Sequence, residues 1–325
     1  MHRLLLLFAL ILAFPAHNNA KTMANHQTTK RLPQDSPSPL IIVSWNMQWL
    51  AWPDKSITIP RTPGDYRRLA NIISELSPDV LAFQEVDSIE AIQAILPRTG
   101  YKVFLSDRHK NRNEQFPQQN QFTGFAVKGS LRVTDAPDLE TLNVSHGKRT
   151  RKLRYGSYLI IHTAPDTKLH LLNVHLKSGC FSRKYKQGSQ SCRTLRQQGA
   201  ILASWIQQRQ SNYEDFLIVG DFNHQLNSKQ QWLLSSLNDA LPQTVSNLTN
   251  GLTALCKVRH TNRDGTKEIR YYKSLIDHAL SSVQISLKTR QYGQVYQYQF
   301  SNHLIERYQL SDHCPLVLHI PTMKR

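Results

Sequence analysis

Four apolar runs in this chain end in a polar side chain, and that repetition limits the fold more than any other feature. Leu40-Ile-Ile-Val-Ser-Trp-Asn46, Val80-Leu-Ala-Phe-Gln-Glu85, Leu169-His-Leu-Leu-Asn-Val-His175 and Phe216-Leu-Ile-Val-Gly-Asp-Phe-Asn223 each read as a buried strand. One such ending alone would be an ordinary turn, since Gly, Asp and Asn are common turn residues. Asp277 lies within a fifth run and Asp312-His313 stands just ahead of a sixth. Together the six predict one edge of a sheet sandwich that carries the chemistry. Asp221 and Asn223 are two positions apart, on the same side of an extended chain, so they address one point. A carboxylate and a carboxamide meeting there suit a metal ion, a water or a phosphate oxygen.

The intervening segments alternate in period. Leu69, Ile72, Ile73 and Leu76 predict a helix over 65–76, with Asp65 as N-cap and Pro78 beyond its end. A second helix starts at Ser88, with Ile89, Ile92, Ile95 and Leu96 on one side and Pro97 to stop it. Residues 101–105, 122–127 and 155–161 read as strands, and 193–208 as a helix with Leu195, Leu202, Trp205 and Ile206 inward. A short helix is expected over 228–237 and a loop over 241–267, with Asn250-Gly251 and Asp264-Gly265 as turns. Tyr296, Tyr298 and Phe300 alternate in a strand period, and residues 316–320 form a closing strand. No internal repeat or inner linker divides 39–325, which predicts one domain.

Residues 1–20 read as a signal peptide: a basic start with Arg3, an apolar run of eleven from Leu4 to Phe14, then a small, polar exit. That run is shorter than the roughly 20 residues a spanning helix needs. Residues 21–38, polar and Pro-rich, read as a flexible leader. The chain carries 40 Lys and Arg against 23 acids, and loss of Arg3 with the signal leaves 39 against 23, a net +16. Such an excess favours polyanions, among them nucleic acid and anionic membrane surfaces. Cys180, Cys192, Cys256 and Cys314 fit an oxidising compartment, secreted or periplasmic, and three pairings are open. Cys180 and Cys192 bracket a short polar loop, so the expected bridge joins them and leaves Cys256 with Cys314. Their spacing matches no zinc ribbon.

Ser44-Trp-Asn46, Gln84-Glu85-Val86, Asn173-Val-His175-Leu-Lys-Ser-Gly179, Gly220-Asp-Phe-Asn223, Ile276-Asp277-His278 and Ser311-Asp-His-Cys-Pro315 resemble the ordered motifs of the endonuclease/exonuclease/phosphatase superfamily, of the deoxyribonuclease I-like type. The motifs run in family order through residues 40–320. The resemblance implies a four-layer α/β sandwich with two central, largely antiparallel sheets flanked by helices. It also implies cleavage of phosphate esters with a divalent metal, usually Mg²⁺, with Mn²⁺ or Ca²⁺ as alternatives. Asn46 and Glu85 supply oxygen donors of the kind a hard cation takes, and the resemblance makes Asp312 metal-proximal. By the same analogy Asp221 orients or deprotonates the attacking water and Asn223 binds the phosphate. Asp277 holds His313 in its protonated form, and His313 and His175 flank the phosphorane, one stabilising charge and the other serving as acid or base. Which does which is open.

Asp277 and His278 face opposite ways on a strand, so Asp277 belongs to the site and His278 to the structure. Arg154 has two readings, a phosphate contact or a solvated basic face. Glu114 stands as a guess for the carboxylate that pairs with the first histidine in deoxyribonuclease I-like members. The leading function is an exported, metal-dependent phosphodiesterase, a nuclease cutting DNA or RNA with little sequence preference. The alternatives are a sphingomyelinase-like phospholipase, which would touch membrane lipid, and a phosphatase on small phosphoesters. A non-catalytic binding protein should have lost some motif positions, and all are filled here. No obligate protein partner is expected, and the chain reads as a monomer.

Overall fold

The computed structural model describes residues 38–52, 57–144, 152–181, 189–229, 231–240, 244–262 and 264–322. The expected signal peptide and all of the leader but Ser38 lie outside these residues. In chain order the first half contains β1 (Leu40–Leu50), α1 (Pro63–Leu76), β2 (Val80–Val86), α2 (Ile89–Gln93), β3 (Tyr101–Leu105), β4 (Phe122–Lys128), β5 (Val133–Asp135), β6 (Ser157–Ala164) and β7 (Thr167–His175). The second half contains α3 (Gln190–Ser211), β8 (Asp215–Asp221), α4 (Leu233–Ala240), β9 (Ser246–Asn247), β10 (Lys257–Thr261), β11 (Lys267–Tyr271), β12 (Asp277–Ser281), α5 (Val283–Tyr292), β13 (Gln294–Gln297), α6 (Asn302–Arg307) and β14 (Leu316–Ile320).

Two six-stranded sheets stack face to face, in the orders β13-β14-β1-β2-β4-β3 and β5-β6-β7-β8-β12-β9. Each has a single parallel pair, β1 with β2 and β7 with β8, and the other pairs are antiparallel. The period of two sorts the side chains into layers. On β1, Val43, Trp45 and Met47 face α1 and α2, while Leu40 and Ile42 face the other sheet. On β8, Phe216 and Ile218 meet α3 and α4, while Leu217 and Val219 face inward. The result is helices, sheet, sheet, helices, the expected four-layer sandwich with two largely antiparallel sheets.

The inner layer changes character along its length. One end is aliphatic, with Ile42, Val80, Val127, Leu171, Leu217, Val219 and Leu318 fully buried and Ile285 of α5 packed in. Following the same strands two residues further, the inward positions become Ser44, Gln84, Thr123, Ser157 and Asn173, all buried. These pair with one another across the gap, with Gln84 Oε1 left without a partner among the described residues. The Gln84 side chain donates to Asn173 Oδ1 at 2.7 Å, Asn173 donates to the carbonyls of Phe83 and Gly124 at 2.8 Å, and Thr123 meets the Ser157 hydroxyl at 2.8 Å. A buried amide left unpaired would cost about 1–3 kcal/mol, so this lattice also fixes how the two sheets register.

Some local expectations shift. The N-cap of α1 is Thr62 rather than Asp65; Asp65 closes a capping box by accepting from the Thr62 N–H at 2.6 Å. The helix expected over 228–237 starts at Leu233, because residues 224–229 are drawn into turns, with the Leu226 N–H donated to His278 and the Asn227 amide to Thr249 O. The region read as loop ends in a hairpin, β10 with β11, turning at Asp264-Gly265. The strand expected through Phe300 stops at Gln297, after which Tyr298 bonds to Pro315 O. The helices α5 and α6 have no counterpart in the sequence reading. Both disulfides join as expected, Cys180 to Cys192 and Cys256 to Cys314. Among the described residues no helix is long and apolar enough to cross a membrane.

Candidate active site

Beyond the amide lattice the inner layer opens into a cleft of ≈ 470 Å³. Glu85, Arg154, His175, Asp221, Asn223, Asp277, Asp312 and His313 all line it. Asn46 lies just beneath, donating its amide to Glu85 Oε1 at 3.3 Å and Asp221 Oδ2 at 3.1 Å. Every residue predicted for catalysis, metal or substrate therefore reaches one place.

Strand alternation alone delivers only part of this set. His175, Asp221 and Asp277 follow Leu171, Leu217 and Ala279 onto the inner face. Glu85 should follow Leu81 and Phe83 to the outer face. Its φ of +58° and a shift of the β2–β4 register between Phe83 and Val86 bring it to the cleft instead. Asn223 was expected to meet Asp221 by strand spacing, but β8 ends at Asp221. A φ of +52° curls Asn223 back, so that its N–H donates to Asp221 Oδ1 at 2.8 Å and its amide to Asp221 Oδ2 at 3.1 Å. Gln48 and Trp49, directly after Asn46, also take left-handed backbone. Four of the six such non-glycine residues among those described thus flank the site, a concentration typical of functional backbone. Gly220 has no freedom to be anything else, since a Cβ there would sit 1.9 Å from the Val174 carbonyl oxygen.

The loop carrying His313 is tied to the end of β1. Ser311 donates its hydroxyl to Asn46 O at 2.6 Å and accepts the His313 N–H at 3.1 Å, while the Trp45 indole donates to His313 O at 3.0 Å. The buried Arg61 guanidinium clamps the same junction by donating to the carbonyls of Met47, Gln48 and Leu310. On the other side, the Cys256–Cys314 bridge follows immediately.

The two histidines are electrostatically unlike. His313 Nδ1 lies 2.8 Å from Asp277 Oδ2, and its Nε2 faces Asp221 Oδ2 at 3.8 Å. Burial pulls the His313 pKa down, but the carboxylates of Asp277 and Asp221 outweigh it and hold the imidazole protonated, well above its ordinary range. His175 goes the other way. Burial, reinforced by the nearby cations of Arg154 and His313, holds it well below its ordinary range and therefore neutral. Its Nε2 stands 3.6 Å from Glu85 Oε1 and 3.5 Å from Asp221 Oδ2. Its Nδ1 is buried without a partner among the described residues. Glu114, the guessed partner, is elsewhere: it accepts a bond from the Asn143 amide and does not line the cleft.

The acids sit under strain of their own. Asp221 is pushed up to about 7 by burial, with His313 lowering it and Asp277 and Glu85 raising it. Glu85 is raised by burial, partly offset by Arg154, and raised again by Asp312. Both shifts come mainly from burial, and a cation bound beside these two carboxylates would favour their ionised forms. Glu85 keeps Oε2 on the Trp49 N–H at 3.2 Å and leaves Oε1 facing the cleft. Asn46 turns its NH₂ toward Glu85 and Asp221 and its Oδ1 toward the Gln48 N–H at 3.0 Å, so its nitrogen rather than its oxygen faces the two carboxylates. Among the described residues no three His, Cys, Asp or Glu side chains form a closed metal cage. Glu85, with Asp312 nearby, supplies oxygen donors of the kind a hard divalent cation takes when one or two protein oxygens hold it together with water and substrate.

Arg154 is buried rather than part of a solvated face; it donates to Leu176 O at 3.1 Å and its charge bears on Glu85 and Asp221. His278 is fully buried on the outer side of β12, with Nδ1 2.7 Å from the Thr249 hydroxyl. Lining residues that the sequence reading did not single out include Gln121, Ser178, Gln225 and Tyr272. Ser178 and Gln225 lie three and two positions past His175 and Asn223, which is a usable signal. Gln121 and Tyr272 carry none.

A sequence profile of the Endonuclease/Exonuclease/phosphatase family matches residues 43–313. No curated protein sequence matches. Among solved structures, truncated Caenorhabditis elegans TDP2 aligns with a TM-score of 0.56 at 15% identity, covering 87% of this chain and 97% of its own. The catalytic domain of human Nocturnin with a bound sulfate anion gives 0.54 at 14% identity, over 89% of this chain and 96% of its own. A Bacteroides thetaiotaomicron mannosyl-6-phosphatase gives 0.51 at 13% identity, over 86% and 99%. At these identities the likeness is one of fold.

Proposed function

The chain belongs to the endonuclease/exonuclease/phosphatase family, and on that premise we propose that it is a metal-dependent phosphodiesterase that cuts nucleic acid with little sequence preference, working in an oxidising compartment outside the cytosol. The observation that carries this reading is the meeting in one cleft of Glu85, Asp221, Asp277, His175 and His313, with His313 Nδ1 2.8 Å from Asp277 Oδ2 and His175 Nε2 3.5 Å from Asp221 Oδ2. Glu85 and Asn46 would hold the divalent cation, with Mg²⁺ the expected ion and Asp312 nearby. When bound it would neutralise charge on the phosphate and favour the ionised forms of the acids.

The chain's own groups take the remaining parts. Asp221 orients the attacking water and accepts its proton as the new P–O bond forms; a pKa near neutrality suits a base at working pH. The ester P–O bond breaks on the opposite side. His313, kept cationic by Asp277 and with Nε2 3.8 Å from Asp221 Oδ2, stabilises the charge that develops on the phosphorane, and the leaving oxygen takes its proton from solvent water. His175 is neutral and donates its Nε2–H to a phosphoryl oxygen. Asn223 has both amide protons engaged, on Asp221 and on Leu176 O at 3.2 Å, so it positions Asp221 and reaches phosphate only by releasing one. Arg154 adds fixed positive potential behind Glu85.

The net charge of +17 favours a polyanion over a small ester, and the two disulfides favour an exported protein. The test is a substrate panel with Mg²⁺ or EDTA: supercoiled plasmid, p-nitrophenyl phosphate and sphingomyelin vesicles. Nicking of plasmid that requires the metal and is lost in His175→Ala supports the proposal. Hydrolysis of the monoester or the lipid without nicking would replace it with the phosphatase or phospholipase reading.

A further inference from the structure

Next to the catalytic cleft lies a second hollow of ≈ 420 Å³. Gln225, Ala254, Ser274 and Leu275 border both, so the two hollows adjoin across these shared residues on the Asn223 side of the cleft. Its lining includes two exposed lysines, Lys229 and Lys273, and no acid. Tyr272, 37% exposed, lines the cleft and directly precedes Lys273 of the hollow's lining. The floor is fixed. Asn227 donates to Thr249 O at 2.8 Å and accepts from the Asn247 amide at 3.0 Å, and the Leu226 N–H is held by buried His278.

Resting on the phosphodiesterase reading, we infer that this hollow is a subsite for the flanking nucleotide of a polynucleotide. Its phosphate sits between Lys229 and Lys273, and its base lies against Tyr272. The chemistry selects that occupant. Two ammonium groups without a competing carboxylate suit a second phosphate. An exposed ring beside them suits a base face, and stacking tolerates any base. A phosphomonoester fills only the cleft and has nothing to place here. The hollow would thus make length of substrate, rather than its sequence, the basis of preference.

The test compares the wild-type protein with a Lys229→Gln/Lys273→Gln double variant on a single-stranded dodecanucleotide and on bis(p-nitrophenyl) phosphate. Both lysines are exposed and make no hydrogen bond or ion pair among the described residues, so the fold is retained, which thermal melting checks. The expected result is a KM for the oligonucleotide at least tenfold higher and a kcat/KM ratio, oligonucleotide to small diester, that falls by the same factor. The slope of log KM against log salt should become shallower by about 0.7, the value for one lost phosphate contact on a single strand. An unchanged KM and salt slope in a variant whose parent cuts the oligonucleotide would overturn the subsite alone. Failure of the wild type to cut any polynucleotide would overturn the nuclease reading and the subsite with it.

Discussion

The two ends of the layer between the sheets are built from the same strands and teach opposite lessons. At one end Leu171, Leu217 and Val219 are buried in one aliphatic cluster with Ile42, Val80 and Leu318. At the other, only a few residues along, His175 and Asp221 project into the same layer beside Glu85, Asp277 and Asn46. The aliphatic end supplies stability through burial, each large side chain contributing about 1.5–3 kcal/mol. The polar end spends some of it: a buried carboxylate at about 7 and an imidazole held neutral are both states that the fold imposes. Between them the Gln84–Asn173 lattice separates dry packing from chemistry.

The comparison breaks most sharply at His313. His313→Ala should lower kcat on plasmid by about a thousandfold or more, the range for removing a charge-stabilising group, while moving the melting temperature little. A loss of folding in step with activity would mean that the polar end is structural after all. At the opposite end Leu217→Ala should cost about 3 kcal/mol in urea unfolding and leave the turnover of folded molecules intact. A turnover change of tenfold or more there would blur the division.

A smaller effect sharpens the contrast through pH. Fully buried His278 is held down to about 4 by burial, against an ordinary 6.5. A histidine depressed in the folded state contributes stability that is complete above pH 6.5 and lost as pH falls toward 4, on the order of 3 kcal/mol. Urea titrations between pH 7 and 4 should show this decline in the wild type, and His278→Gln should flatten it. Asp221 acts in the opposite direction, since a raised carboxyl costs stability as pH climbs from 3.8 through about 7.

Much of this was legible in the sequence because strand period and motif order act locally. Apolar runs announce strands, and a polar residue two positions past an inward leucine must point where the leucine does, as His175 and Asp221 do. Glu85 broke that rule, and only its motif placed it, since neither its left-handed backbone nor the register shift is encoded by period. Asn223 met Asp221 by a curl rather than by strand spacing. The remaining misses depend on contacts between distant segments. Tyr272 reaches the cleft because a hairpin folds beside the Cys256–Cys314 bridge, and Arg154 is buried because Leu176 O, 22 residues away, accepts its guanidinium. The start of α4 was lost to turns pinned by His278, a residue 52 positions from Leu226.

The most direct test is the Mg²⁺ dependence of plasmid nicking by the wild type and by Glu85→Gln, which keeps the shape of the side chain and removes its charge. The account predicts that the wild type nicks with saturable Mg²⁺ dependence. It predicts that the variant, equally folded, loses at least a hundredfold in rate at saturating metal or needs at least tenfold more Mg²⁺ for half its rate. Identical Mg²⁺ curves for the two proteins would contradict it, because the cation would then be held, or the bond cut, somewhere other than the polar end of the layer between the sheets.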